Sequence, residues 1–186
     1  MVPITALWIP ILVSAVAVFI ASSVLHMVLP FHRKDYAKLP GEDEIAAAVR
    51  KQNVAPGSYM MPHAGDPKEM GSPEMQEKFK NGPVAMVTVF PSGVPVLPKH
   101  LAMWFVYTVV IGVCLAYLAG RTLVPGTAYL SVFRFVGTAG WLAYAGSIAS
   151  DSIWRGQAWS TTCKNIVDGL VYALVTAGVF GWLWPQ

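Results

Sequence analysis

The chain has 186 residues, of which 55% are hydrophobic and only 12% charged, with a mean hydropathy of +0.51. A soluble domain carries roughly a quarter charged residues, so most of this chain is not built to be solvated by water. The formal net charge of +3 is small and includes no basic run interleaved with aromatics, which excludes nucleic acid as a partner.

Four apolar stretches carry the hydrophobic excess: Ile4 to Leu29, Leu101 to Ala119, Ala128 to Ala149 and Ile166 to Leu183. A helix of about 20 residues crosses a hydrocarbon core, and the stretches lack the alternation of a barrel wall. The expected fold class is therefore an all-α membrane protein with four transmembrane helices. The first, within residues 1–29, reads as a retained span, because no Lys or Arg precedes it and its apolar part exceeds a signal-peptide core.

Residues 30–99 then form a polar, extramembrane segment between helices 1 and 2. It holds nine of the 13 basic residues and ten of the 14 prolines. Such punctuation permits only short elements, and a small, irregular α/β segment is expected. Glu42 to Gln52 reads as a helix with acids in its first turn and bases in its last. Ser72-Pro73 starts a second helix, which Asn81-Gly82 stops. Val84 to Phe90 is β-branched enough for a strand, turned by Pro91-Ser92-Gly93 toward Val94 to Leu97. Residues 100–186 supply helices 2–4, at about 101–119, 128–149 and 166–183.

Basic residues next to the spans set the orientation. Arg33, Lys34, Lys38 and Lys99 flank the polar segment, and Arg155 and Lys164 lie in the third connection, against Arg121 alone on the opposite face. Residues 30–99 are thus expected in the cytoplasm, with both termini outside. Helices in lipid meet where small residues allow close approach. Such rows occur at Gly112, Ala116 and Gly120, and at Gly169, Ala173, Ala177 and Gly181. They read as helix-packing ridges.

Ionisable residues at membrane depth are costly and point to function. Arg134, two turns into the third stretch, has no acid at its level. It is expected to snorkel, to anchor on backbone carbonyls or the C-terminal carboxylate, or to bind an anion or lipid headgroup. A second group gathers near the inner face: His26, His32, His100, Asp151, Arg155, Lys164 and Asp168. Ion pairing explains this polar cluster most simply; a proton- or ion-handling mouth is the sharper alternative. Metal ligation is weakly signalled at His26, His63 and His100, with soft Met60, Met61, Met70 and Met75 nearby, but the spacings match no metal motif. No metal and no cofactor are expected. Cys114 and Cys163 read as a filler and a free thiol. With no nucleophile elbow and no phosphate loop, no catalytic residue is assigned and enzymatic turnover is not expected. Ser160 to Thr162 read as the cap region of the last helix.

The segments His26-Met-Val-Leu-Pro-Phe-His-Arg-Lys-Asp-Tyr36 and Trp159-Ser-Thr-Thr-Cys-Lys-Asn-Ile-Val-Asp-Gly-Leu-Val-Tyr172 resemble an uncharacterised group of small four-span bacterial inner-membrane proteins. The resemblance implies a bacterial inner-membrane location and carries over no activity and no site residues. The expected function is a non-enzymatic accessory, assembly or stabilising role, acting through contacts with the lipid bilayer, a protein partner or further copies of the chain. Two alternatives stand beside it: a small transporter or channel, and a metal- or lipid-binding membrane protein.

Overall fold

A computed structural model describes all 186 residues. In chain order its regular elements are α1 (Trp8–Ser23), α2 (Glu42–Lys51), β1 (Gly57–Met61), α3 (Pro67–Met70), α4 (Pro73–Asn81), β2 (Ala85–Val89), α5 (Leu97–Thr122), α6 (Tyr129–Ala145), α7 (Ala149–Arg155) and α8 (Trp159–Trp182). They divide into two compact units, Met1–Tyr36 with Val96–Gln186, and Ala37–Pro95.

In the first unit α1, α5, α6 and α8 pack on one another. Three helical stretches are long and apolar enough to cross a membrane: Trp8–Val28, Leu97–Thr122 and Trp159–Trp182. Large apolar side chains point outward on them, among them Leu12 and Ile20, Val106 and Val110, and Leu170 and Leu174. Several hydroxyls inside these helices are turned back on their own backbone. Ser14 donates to the Ile11 carbonyl at 3.0 Å, Ser22 and Ser23 to that of Phe19 at 2.9 Å, and Thr176 to that of Tyr172 at 2.8 Å. A polar atom in an apolar surrounding costs free energy unless it is bonded, and this geometry satisfies it locally.

The small-residue rows lie between helices. Ala177 faces Gly137 and Ala173 faces Gly140, while Gly169 packs on Ala145 and Gly181 on the Tyr129 ring, so α6 runs antiparallel along α8. On α5, Gly112 rests on Ile11. Gly120 accepts a hydrogen bond from the Val2 N–H at 2.8 Å, and a Cβ there would overlap the Val2 carbonyl. Leu7, Ile11, Leu115, Val132, Val136 and Phe180 close the core at this end. Trp184 seals it by donating its indole N–H to the Val124 carbonyl at 3.0 Å.

Several limits differ from those the sequence predicts. The second apolar helix begins at Leu97 instead of 101, because Pro98 sits in its first turn, where a missing N–H breaks no bond. The third stretch, expected unbroken to Ala149, stops at Ala145. A turn over Gly146–Ile148 separates α6 from α7, which ends on Gly156 at a φ of 68°. The fourth helix starts at Trp159, a full two turns before the expected Ile166, so Ser160 to Thr162 lie inside its first turn and not at its cap, which is Ala158.

The second unit, Ala37–Pro95, is a thin assembly of short elements. Asp66 caps α3 through the N–H groups of Lys68 and Glu69, and Ser72 caps α4 through that of Met75. Strand β2 pairs antiparallel with β1, Gly57 opposite Val89 and Met61 opposite Ala85. Its expected partner, Val94 to Leu97, forms no strand; the hairpin-like pairing was hidden because β1, led by Gly57, is short and weakly patterned. Met75 is the one buried large side chain of this unit.

Because Ala177 touches Gly137, Ala177→Leu is expected to destabilise the first unit by about 1–3 kcal/mol through overpacking. Thermal melting of the purified chain in detergent checks it: the variant melts below wild type, and equal melting contradicts the placement of this ridge between α6 and α8.

Candidate functional site

At the end of the first unit away from its core, α1 does not stop cleanly. It widens into a π turn over Val24–Val28; Leu29, held extended by the following proline, then leads into a 3₁₀ turn over Pro30–His32. The chain thereby folds back on itself. It lays the His32 ring parallel to that of His26, with centroids 4.4 Å apart and planes within 4°.

Both imidazoles aim at one carboxylate. Asp168, 3% exposed and three turns into α8, presents Oδ2 at 2.9 Å from His32 Nε2 and 3.7 Å from His26 Nε2. The donor sets of the other ring nitrogens fix what these atoms can be. His26 Nδ1 lies 3.1 Å from the Ser22 carbonyl and His32 Nδ1 lies 2.6 Å from Asp35 Oδ2. A carbonyl and a carboxylate only accept, so both Nδ1 atoms carry protons, and in a neutral ring Nε2 is then a lone pair. The 2.9 Å approach of His32 Nε2 to Asp168 lacks hydrogen-bond geometry; His32 Nε2 and both Asp168 oxygens are buried without a hydrogen-bonding partner. With neutral rings, three acceptors face one another here, an arrangement that a proton on His32 Nε2 or a bound cation relieves.

A supporting row stands behind His32. Lys164 of α8 donates to Asp35 Oδ1 at 2.5 Å and lies 5.4 Å from the centre of the Phe31 ring. Lys164 and then His32, each bonded to the Asp35 carboxylate, hold its pKa below the ordinary 3.8. Asp35 is therefore ionised wherever the protein is folded near neutrality, and it fixes the ring and proton of His32.

On its other side the cluster borders a cavity of about 470 Å³ between the ends of the four helices, lined chiefly by Trp104, Tyr107, Tyr144 and Tyr172, with His26 and Asp168 among its polar residues. Trp104 donates its indole N–H to Ser22 Oγ at 2.9 Å, which orients the ring. Tyr172 stands edge-on to both Trp104 and Tyr144, with centroids 5.7 and 5.6 Å away.

No family model, no curated protein and no solved structure matches the chain.

Of the residues singled out from sequence, the structure brings His26, His32 and Asp168 together, with Lys164 one residue removed through Asp35. His100 lines the cavity without joining the cluster. Asp151 and Arg155 pair with each other at 3.2 Å on the exposed α7, a contact of little energetic weight. His63 lies in the second unit, outside the cluster. Arg134 is exposed on α6 and makes no ion pair, so the C-terminal carboxylate does not anchor it. Asp35 was missed. Its signal was the His32-Arg33-Lys34-Asp35 spacing, where i and i+3 meet across one turn, but the run read as a charged membrane flank.

The depressed Asp35 pKa has a definite sign. A carboxylate whose folded value lies below its unfolded value stabilises the fold above the unfolded value and loses that contribution as pH falls through the folded one. The stability difference between wild type and Asp35→Asn is expected to be constant above about pH 4 and to close below it. Melting temperatures across pH 2.5 to 7 test this; a difference that closes between pH 5 and 7 contradicts it.

Proposed function

We propose that this chain is an integral membrane protein that holds one divalent transition-metal ion between His26, His32 and Asp168. The observation that carries the reading is the convergence of buried, unbonded acceptors: His32 Nε2 and the Asp168 oxygens, with His26 Nε2 turned to the same point. The three residues offer ligand atoms within 4.8 Å of one another. Two of the separations, 2.9 and 3.7 Å, bracket the edge of about 3.3 Å between ligands of a tetrahedral ion bonded at about 2.0 Å. Two imidazoles favour zinc, iron, nickel or copper over calcium and magnesium, which take oxygen ligands. Lys164–Asp35–His32 is the outer row of the kind that orients a metal-bound histidine. The earlier expectation of no metal is set aside in this reading, and His32 and Asp168 replace His63 and His100 beside His26.

The same proposal places four crossings in a bacterial inner membrane. In support, α6 runs along α8 from Ala145 beside Gly169 to Tyr129 beside Gly181, so the two share a depth, and its 17 residues extend about 26 Å. An even number of crossings returns both termini to one side. In support of a cytoplasmic polar segment, Arg33, Lys34, Lys99, Arg155 and Lys164 gather at the end of the first unit that carries the cluster, as inner flanks of a membrane do. The ion then sits at the inner boundary of the membrane, and the role is that of an accessory component that holds it there.

Dialysis of the purified apo protein against zinc or cobalt(II) is expected to leave one ion per chain. Asp168→Asn and His32→Ala should each weaken binding at least tenfold, and Asp35→Asn by about 10- to 100-fold. His63→Ala and Arg155→Ala should bind as wild type. Retention of the ion by the Asp168 and His32 variants, or an absence of stoichiometric binding by wild type, contradicts the proposal.

A further inference from the structure

We infer that the aromatic cavity beside the cluster takes a planar, apolar molecule with an anionic oxygen head, and that this head completes the coordination of the ion. The inference rests on the metal reading above and names what the site accepts in addition to the ion.

Its first support is placement. Three protein ligands leave at least one coordination position free on a four-coordinate ion. His26 and Asp168 both line the cavity, whereas the far side of the cluster is closed by Asp35 bonded to His32 Nδ1. The free position accordingly faces the cavity.

Its second support is charge. A divalent ion held by two neutral imidazoles and one carboxylate keeps a net single positive charge. The neighbouring anion cannot offset it, because Asp35 is already bonded to Lys164. Beside a wall of aromatic rings a single anionic donor restores neutrality, and a cationic or dianionic head does not. A carboxylate or a phenolate meets that demand.

Its third support is the wall. Trp104, Tyr107, Tyr144 and Tyr172 present ring faces and edges around about 470 Å³, a volume that suits a small organic ligand. Trp104 and Tyr107 stack at 5.4 Å, with planes 29° apart, and continue as a slab along α5. Aromatic faces of this kind gain from a flat partner more than from a flexible chain, which loses rotamer freedom on binding. The body is therefore aromatic, and an alkyl acid binds less well.

Cobalt(II)-loaded protein in lipid nanodiscs provides the test, since the visible d–d bands of the ion report a change of ligand directly. Titration with 2-naphthoate is expected to shift the bands saturably. Acetate and decanoate should need at least tenfold higher concentrations, and apo protein should retain at least tenfold less naphthoate on dialysis. Tyr107→Ala, which removes a wall and no metal ligand, should keep one cobalt per chain and raise the naphthoate midpoint by about 3- to 10-fold. Cobalt bound with bands that naphthoate leaves unchanged overturns this inference and leaves the metal reading intact. An equal response to acetate shows an open coordination position without an organic pocket and overturns the choice of occupant. Preference for decanoate assigns the cavity to an acyl chain and overturns the aromatic body. Failure to bind cobalt at all removes both readings together.

Discussion

A helix surrounded by hydrocarbon has no water to satisfy its polar groups, so each such group must find a partner within the protein. This chain obeys the constraint nearly everywhere. Ser14, Ser22, Ser23, Thr108 and Thr176 return their hydroxyls to carbonyls one turn back. Even the indole of Trp104 finds Ser22 Oγ. The carboxylate of Asp168 and the Nε2 of His32 are the exceptions, and they are exceptions to each other: buried, adjacent and unbonded. Either a proton on His32 Nε2 or a cation bound between the two relieves such a contact, and the proposed site takes the cation.

The rest of the architecture leads to that point. Small residues draw α6 against α8 and α5 against α1, and the core from Leu7 to Trp184 closes one end of the first unit. The opposite end stays open, with Trp104, Tyr107, Tyr144 and Tyr172 around a cavity. The π turn after Ser23 and the proline after Leu29 then bring the chain back, so that His32 meets Asp168 on the side of the cluster away from this cavity. Lys164 and Asp35 tie that returning segment to α8. Rigid packing at one end thus supports a spacious, charged arrangement at the other.

How far this could be read from sequence depended on the range of the interactions. Hydropathy averages over a whole helix, so three long apolar helices were legible. Helix ends were not, because Pro98 also fits a first helical turn and the polar Trp159–Asn165 reads as a connection by composition. The Gly146–Ile148 break was hidden inside an apolar run for the opposite reason: composition does not change across it. His26 and Asp168 were recognisable as polar groups near one face, whereas their meeting was not, since 142 positions separate them and only the helix packing sets their register. Asp35 was the least legible of all. Its role follows from a backbone reversal at Leu29-Pro30 that local propensity suggests but does not direct.

The most direct measurement of the central claim is X-ray absorption at the zinc edge of zinc-loaded protein. Two imidazoles from His26 and His32 and one oxygen from Asp168 predict a first shell of nitrogen and oxygen at about 2.0 Å, with the outer scattering of two rings, reduced to one ring in His32→Ala. A shell without imidazole scattering, a shell containing sulfur, or a spectrum unchanged by His32→Ala contradicts the account.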